Sequence, residues 1–286
     1  MKRKIKSNIK KFFQNFIRVL KRPEMRILPA HLAFYFVLTI VPTITLISYI
    51  ASLLNISTDV ISNFLTNAFT PEIANMLLNP TKFGVSGYSL IPLILGGYYI
   101  ASNGQASIII TSNAIYGEEQ TGYLKRRLKA FVMTFFLVLL FIFLLIVPVF
   151  GNAIINGLTK MNITKNVLNR IIKVFHILKG PVTWLIIYLF IKLLYTIAPN
   201  KEVKSKSVGY GALFTSIGWI IGTAIYSYYV NNYAHYTTFY GGLANIVILM
   251  LWFYFLAFVF TIGMALNYRK EEEELEKTAK INLEKE

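Results

Sequence analysis

Twenty-one consecutive residues, Ala130 to Phe150, carry no charge and one polar side chain, Thr134. As a helix they extend about 31 Å, the thickness of a bilayer's hydrocarbon core. Runs of this kind recur along the 286 residues, 55% of which are hydrophobic and only 15% charged. A soluble domain has about 25% charged residues, and mean hydropathy here is +0.55. The chain therefore reads as an all-α polytopic membrane protein rather than a soluble enzyme. Zero cysteines exclude disulfides, thiolate metal sites and cysteine nucleophiles.

Six transmembrane spans are predicted, at residues 29–54, 89–116, 130–150, 181–198, 208–230 and 241–267. Residues 1–28 form a basic segment before them, and residues 268–286 an acidic tail after them. The basic segment holds ten Lys/Arg, with Ile5, Ile9, Phe12, Phe13, Phe16, Ile17 and Leu20 at three- and four-residue spacing. That pattern predicts an amphipathic helix lying on anionic phospholipid headgroups. Nucleic acid is the competing partner for a basic arm, and the continuous apolar face argues for lipid. The tail from Glu271 to Glu286 holds seven of the thirteen acids and reads as a solvated helix or a disordered end.

Basic residues orient a membrane protein, because Lys and Arg are retained on the cytoplasmic side. With both termini inside, the inner segments hold 22 Lys/Arg and the outer loops 6. Five of those six lie between Lys160 and Lys179, where Val167, Leu168, Ile171, Ile172, Phe175 and Leu178 predict a second amphipathic helix on the outer surface. The outer loop Asn55 to Tyr88 also has helical spacing, through Val60, Ile61, Phe64, Leu65 and Phe69.

Four stretches in order resemble the YihY/virulence factor BrkB family of integral membrane proteins. The first is the run Ala30 to Pro42, with Tyr35 and Pro42 at the family's tyrosine and proline positions. The second is Ser102-Asn103-Gly104, with Asn113, Tyr116, Glu119 and Lys125-Arg126-Arg127 after it. The third runs from Tyr195 to Pro199-Asn200, with Gly209 and Gly211 beyond. The last contains Tyr240, Gly241, Trp252 and Gly263 through to Asn267. The resemblance implies six helices with cytoplasmic termini. Many members end the sixth span Gly-Ala-Glu, where this chain has Gly263-Met264-Ala265, so a role resting on that acid is not carried over. Members have borne the label ribonuclease BN, a misassignment, and transport has been suggested for them without a settled substrate.

None of the six spans contains Asp or Glu. Carboxylate-based proton coupling, common in transporters, has no residues to use here. Lys192 is the one charged residue inside a span; it reads as a snorkelling anchor or as a ligand for an anion or lipid headgroup. Span 2 is the most polar. Asn103, Ser107 and Thr111 recur every four residues and share a face, while Ser102, Gln105, Ser112 and Asn113 occupy others. Such side chains bond neighbouring helices or line a polar path. Gly96-Gly97 and Asn103-Gly104 are places where the helix could break, as in discontinuous transporter helices. The candidate substrate-binding residues are Asn103, Ser107, Asn113 and Lys192.

Gly218 and Gly222 form a GxxxG motif, for packing within the chain or for a dimer face. Tyrosines from Tyr226 to Tyr240 predict an aromatic belt at the outer boundary. Pro42, Pro92 and Pro148 are expected to mark kinks. His31, His176 and His235 are far apart in sequence, and no nuclease, hydrolase or nucleotide-binding signature is present. The expectation is a non-enzymatic protein of the bacterial envelope, without cofactor or metal, handling a small molecule or lipid in a polar intramembrane pocket. A scaffold that organises the envelope and the historical ribonuclease are the alternatives.

Overall fold

The computed structural model describes residues 14, 16–53, 62, 90–160, 165–232 and 241–283. Among them the regular structure is helical. The long helices are α1 (Glu24–Leu53), α2 (Leu90–Tyr116), α3 (Tyr123–Lys160), α4 (Lys165–Ile197), α5 (Gly209–Asn232) and α6 (Ala244–Leu283). Five of them, all but α2, contain segments long and apolar enough to cross a membrane. At 27 residues α2 has the length. It falls short in apolarity because Ser102, Asn103, Gln105, Ser107, Thr111, Ser112 and Asn113 crowd its second half.

Several boundaries differ from those the sequence predicts. The basic amphipathic stretch before span 4 is not a separate surface helix, since α4 runs unbroken from Lys165 through Pro181 to Ile197. A helix interior can tolerate proline at the loss of one backbone bond. In the same way α3 continues past Phe150 to Lys160. α2 is continuous through Gly96-Gly97 and Asn103-Gly104, so neither pair breaks it. The sixth span opens with a single 3-10 turn, Gly241–Leu243, where Gly241 has a positive φ of 52°. The tail is helical to Leu283, in line with α6. Residues 1–13 and 15 of the basic arm, the expected loop helix at Asn55 to Tyr88 apart from Ser62, and Tyr233, Tyr236 and Tyr240 lie outside the described residues.

The chain divides into two compact units, and the division falls within helices. Unit 1 comprises Met1–Leu38, Gly104–Lys129 and Ile191–Glu286; unit 2 comprises Thr39–Asn103 and Ala130–Phe190. In unit 1, contacts gather the start of α1, the end of α2, the start of α3, the end of α4, the start of α5 and the Tyr268 region of α6. Arg22 lies 5.0 Å from the Tyr268 ring, and that ring lies 5.4 Å from Tyr116. Lys129 Nζ donates to the carbonyls of Ala198 (2.9 Å) and Pro199 (2.7 Å). Gly211 N–H donates to Asn267 Oδ1 at 2.7 Å. Successive helices therefore alternate in direction.

The end of the basic arm packs on protein within unit 1. Val19 is fully buried, and Phe16 sits 6.1 Å from the ring of Phe214 on α5. Ile17 and Leu20 remain exposed.

α5 and α6 form an antiparallel pair, and its seam uses small residues. A Cβ at Gly218 would lie 2.7 Å from Val259, and one at Gly222 would collide with the Phe255 ring. The GxxxG motif is thus spent within the chain. Indole and phenol groups hydrogen-bond across the same seam: Trp219 Nε1 donates to the Leu256 carbonyl (2.9 Å), Trp252 Nε1 to Thr223 Oγ1 (3.3 Å) and Tyr226 Oη to the Ile248 carbonyl (2.6 Å). In unit 2, α1 and α2 pack where Gly97 faces Leu46 and Pro42, and Tyr98 Oη on α2 donates to the Phe131 carbonyl on α3 at 2.6 Å.

Candidate functional site

Polar side chains on helices usually bond their own backbone, because the carbonyl four residues earlier is within reach. Thr45, Thr134, Thr196 and Thr261 all do so, at 2.8–3.0 Å. The buried polar residues of α2 in unit 1 behave differently. Ser107 Oγ is hydrogen-bonded to His31 Nδ1 of α1 at 3.1 Å. Gln105 Oε1, Thr111 Oγ1 and Ser112 Oγ are buried with no hydrogen-bond partner among the described residues. The three residues are no more than 3% exposed. Leaving one such group unpaired costs about 1–3 kcal/mol. Three on one helix leave hydrogen-bonding capacity that the described residues do not fill.

Helical spacing sorts these groups into two stripes. Ser107 and Thr111 stand four apart on one face. Gln105, Ser112 and Tyr116 fall at i, i+7 and i+11, so they share another and extend about 16 Å along the axis. Tyr116 is 4% exposed. The spacing of this second stripe was open to inspection in the sequence. What it could not reveal was that Gln105 Oε1 and Ser112 Oγ have no hydrogen-bond partner among the described residues.

The four sequence-predicted residues have different surroundings. Ser107 is in the buried cluster with His31, whose ring packs edge-on against Tyr35 at 5.0 Å. Asn103 is half-buried and belongs to unit 2. Lys192 is half-buried on α4, and its carbonyl accepts from Thr196. Asn113 is fully buried, and its amide is engaged at both ends: Oδ1 accepts from Asn200 N–H (2.9 Å) and Nδ2 donates to Gln120 Oε1 (3.2 Å). Asn200 Nδ2 in turn donates to the Glu119 carbonyl at 2.7 Å. This ties the end of α2 to the turn after α4. Gly117, with φ of 68°, reverses the chain beside it.

A further buried centre was missed in the sequence. Tyr195 on α4 is fully buried, and its Oη is bonded to Thr215 Oγ1 (2.7 Å) and donates to the Phe260 carbonyl (2.6 Å). Gly263 makes this possible: a Cβ there would strike Thr215 Oγ1 and lie 2.6 Å from Tyr195 Oη. One hydroxyl thus joins α4, α5 and α6. Asn267 is nearby on α6, accepting from Gly211 through Oδ1 while its Nδ2 is buried without a partner among the described residues. Among the described residues no group of three or more His, Asp or Glu side chains could hold a metal.

The sequence profile described as virulence factor BrkB matches residues 16–285. YfkH of Bacillus subtilis (strain 168), named a ribonuclease-like protein, is 28% identical over 246 residues, covering 83% of this chain and 87% of its own. A UPF0761 membrane protein of Idiomarina loihiensis is 30% identical over 89 residues, 31% of either chain. One of Haemophilus influenzae (strain 86-028NP) is 32% identical over 91 residues, 32% of this chain and 34% of its own. No solved structure matches.

Proposed function

The chain belongs to the virulence factor BrkB family of membrane proteins, and from its buried chemistry we propose that it binds and transports a small molecule or lipid through the polar interior of α2. The observation that carries this reading is the set of unpartnered buried groups at Gln105, Thr111 and Ser112, beside the Ser107–His31 pair. A purely structural helix interior would satisfy such hydroxyls on its own carbonyls, as Thr134 and Thr261 do. Ser107 belongs to this site directly. Asn113 shapes it from the end of α2, and Lys192 on α4 is a further candidate in the same unit.

In this reading all six long helices cross the bilayer, including α2. Support comes from their alternating direction in unit 1. Polar residues in a span are tolerated where they face other helices or a polar cavity. Both termini are cytoplasmic, on the side that holds 22 of the Lys/Arg. The basic arm contacts anionic headgroups there, and no nucleic-acid partner is invoked. The protein is not an enzyme: its acids lie outside the predicted spans, seven of thirteen in the last sixteen residues, where they cannot build an intramembrane nuclease centre. The ribonuclease-like name of YfkH is accordingly not carried over.

The test is flux. Purified protein in proteoliposomes should move substrate from a panel of labelled amphiphiles and small polar solutes. Ser107→Ala and Ser112→Ala should each slow it about tenfold, the loss of one directed hydrogen bond in a desolvated site. Flux that is insensitive to both, and to Gln105→Leu, would sink the transport reading.

A further inference from the structure

Four side chains from four segments form a ladder at one end of unit 1. The Arg22 guanidinium lies over the Tyr268 ring at 5.0 Å. Tyr268 meets Tyr116 in a T-shaped contact at 5.4 Å, and Lys201 Nζ lies 6.0 Å from the Tyr116 ring. Two cations thus bracket two tyrosines. Their backbones are held in place beforehand. Lys201 follows a turn fixed by Lys129 on Ala198 and Pro199 and by Asn200 on Asn113 and Glu119. Arg22 sits between the buried Val19 and Met25, with its N–H on the Val19 carbonyl.

The ladder also joins the orphan groups. Tyr116 is its inner rung and the end of the stripe that continues through Ser112, one turn inward, to Gln105. Cations at one end of a line of neutral hydrogen-bonding atoms suit a ligand that is anionic at its head. Phosphate offers three acceptor oxygens to a guanidinium and an ammonium, where a carboxylate offers two. The local charge favours it. Residues 14–26, 117–129 and 199–207 hold eleven bases against four acids. Of those acids, Glu119 and Glu202 are exposed, Glu118 is half-buried, and Glu24 lies in the first turn of α1, where the helix dipole favours it.

We propose that Arg22, Lys201, Tyr116 and Tyr268 capture the phosphate head of an anionic amphiphile, with Ser112 as its first hydrogen-bond partner inside. This names the ligand class for the site proposed above and rests on that reading. A free phosphate ester presents the same chemistry as a lipid head, so the experiment separates the two sources.

The experiment uses the full chain in detergent–lipid micelles with a fluorescent phosphatidic acid as probe, and the matching phosphatidylcholine as reference. Wild type should bind phosphatidic acid about tenfold more tightly, and Arg22→Gln/Lys201→Gln should abolish that preference. Lys204→Gln/Lys206→Gln removes the same charge off the ladder and should keep it. Inorganic phosphate that displaces the probe assigns the site to the phosphate group itself; failure to displace it assigns the site to the intact lipid. No preference in wild type, a preference that survives the ladder variant, or equal loss in both double variants would overturn the proposal. Lys201→Gln alone, on a half-buried turn residue, provides the same reading should the double variant not fold. The proposal and the transport reading fail separately. Lost selectivity at Lys201→Gln with flux indifferent to Ser112 leaves a binding site without transport. Flux that needs Ser112 without phosphate preference removes the ladder alone.

Discussion

The two units are built from the same apolar helices but differ in how the helices are joined. In unit 1 buried polar groups cross between helices: Tyr195 to α5 and α6, Lys129 and Asn113 to the turn after α4, Asn267 to α5, and Ser107 to His31. In unit 2 the described polar bonds are mostly local, as at Thr45, Ser102 and Thr134, with Tyr98 to Phe131 crossing between helices. Its described orphan hydroxyl is Ser48, against three orphans on α2 in unit 1. The difference teaches where specificity resides. Van der Waals packing suffices to hold helices in lipid, but directed bonds fix one arrangement and can be completed by a ligand. The residues that carry the family resemblance follow the same division. Tyr35, Gly104, Tyr195, Pro199, Gly241, Trp252 and Gly263 belong to unit 1, while Pro42, Ser102 and Asn103 belong to unit 2.

The contrast breaks most readily at the glycines. Gly263→Val should destabilise the protein by about 3 kcal/mol, because its side chain enters the Tyr195–Thr215 contact. Gly96→Ala in α2 meets nothing within 4 Å and should be neutral or slightly stabilising. Thermal unfolding in detergent compares the two, and equal effects would remove the distinction between the units.

A smaller effect is expected at the tyrosines. Tyr195→Phe strips a hydroxyl shared by Thr215 and the Phe260 carbonyl, costing about 2 kcal/mol. Tyr98→Phe in unit 2 loses one bond, worth about 0.6 kcal/mol. Asn113→Ala should cost about 1 kcal/mol and raise proteolytic cleavage at residues 117–122 and 199–207, the segments it ties together. The smallest change in stability belongs to Ser112→Ala. Removing an unpaired buried hydroxyl should leave the melting temperature unchanged or slightly higher while flux falls. A group that matters for function but not for folding would separate the α2 stripe from the locks around it.

Much of this architecture was legible in the sequence. The apolar runs located the helices, because length and charge exclusion are sufficient criteria in lipid. The ends were less legible. α3 and α4 extend through basic and polar segments that resemble surface helices, and continuity across Gly180-Pro181 depends on the backbone rather than on composition. On α2 the Ser107 and Thr111 face was visible from a spacing of four. That Ser107 meets His31, 76 residues away, and that Asn113 meets Asn200, 87 away, was not, since helix packing alone decides those pairs. In the sequence Tyr195 and Gly263 stand only as motif residues; their contact explains why a hydroxyl and a glycine are needed together.

Thiol labelling tests most directly whether the Gln105–Ser112 stripe of α2 receives a polar ligand. The chain has no cysteine, so single cysteines can be introduced on a clean background. Gln105→Cys, Ser112→Cys and Leu139→Cys, the last at an exposed apolar position on α3, should be treated with a charged, membrane-impermeant thiol reagent in proteoliposomes. Labelling at 112 and more slowly at 105, protection of both by phosphatidic acid, and no labelling at 139 are expected. Equal silence at all three positions, with the protein folded, would contradict that reading.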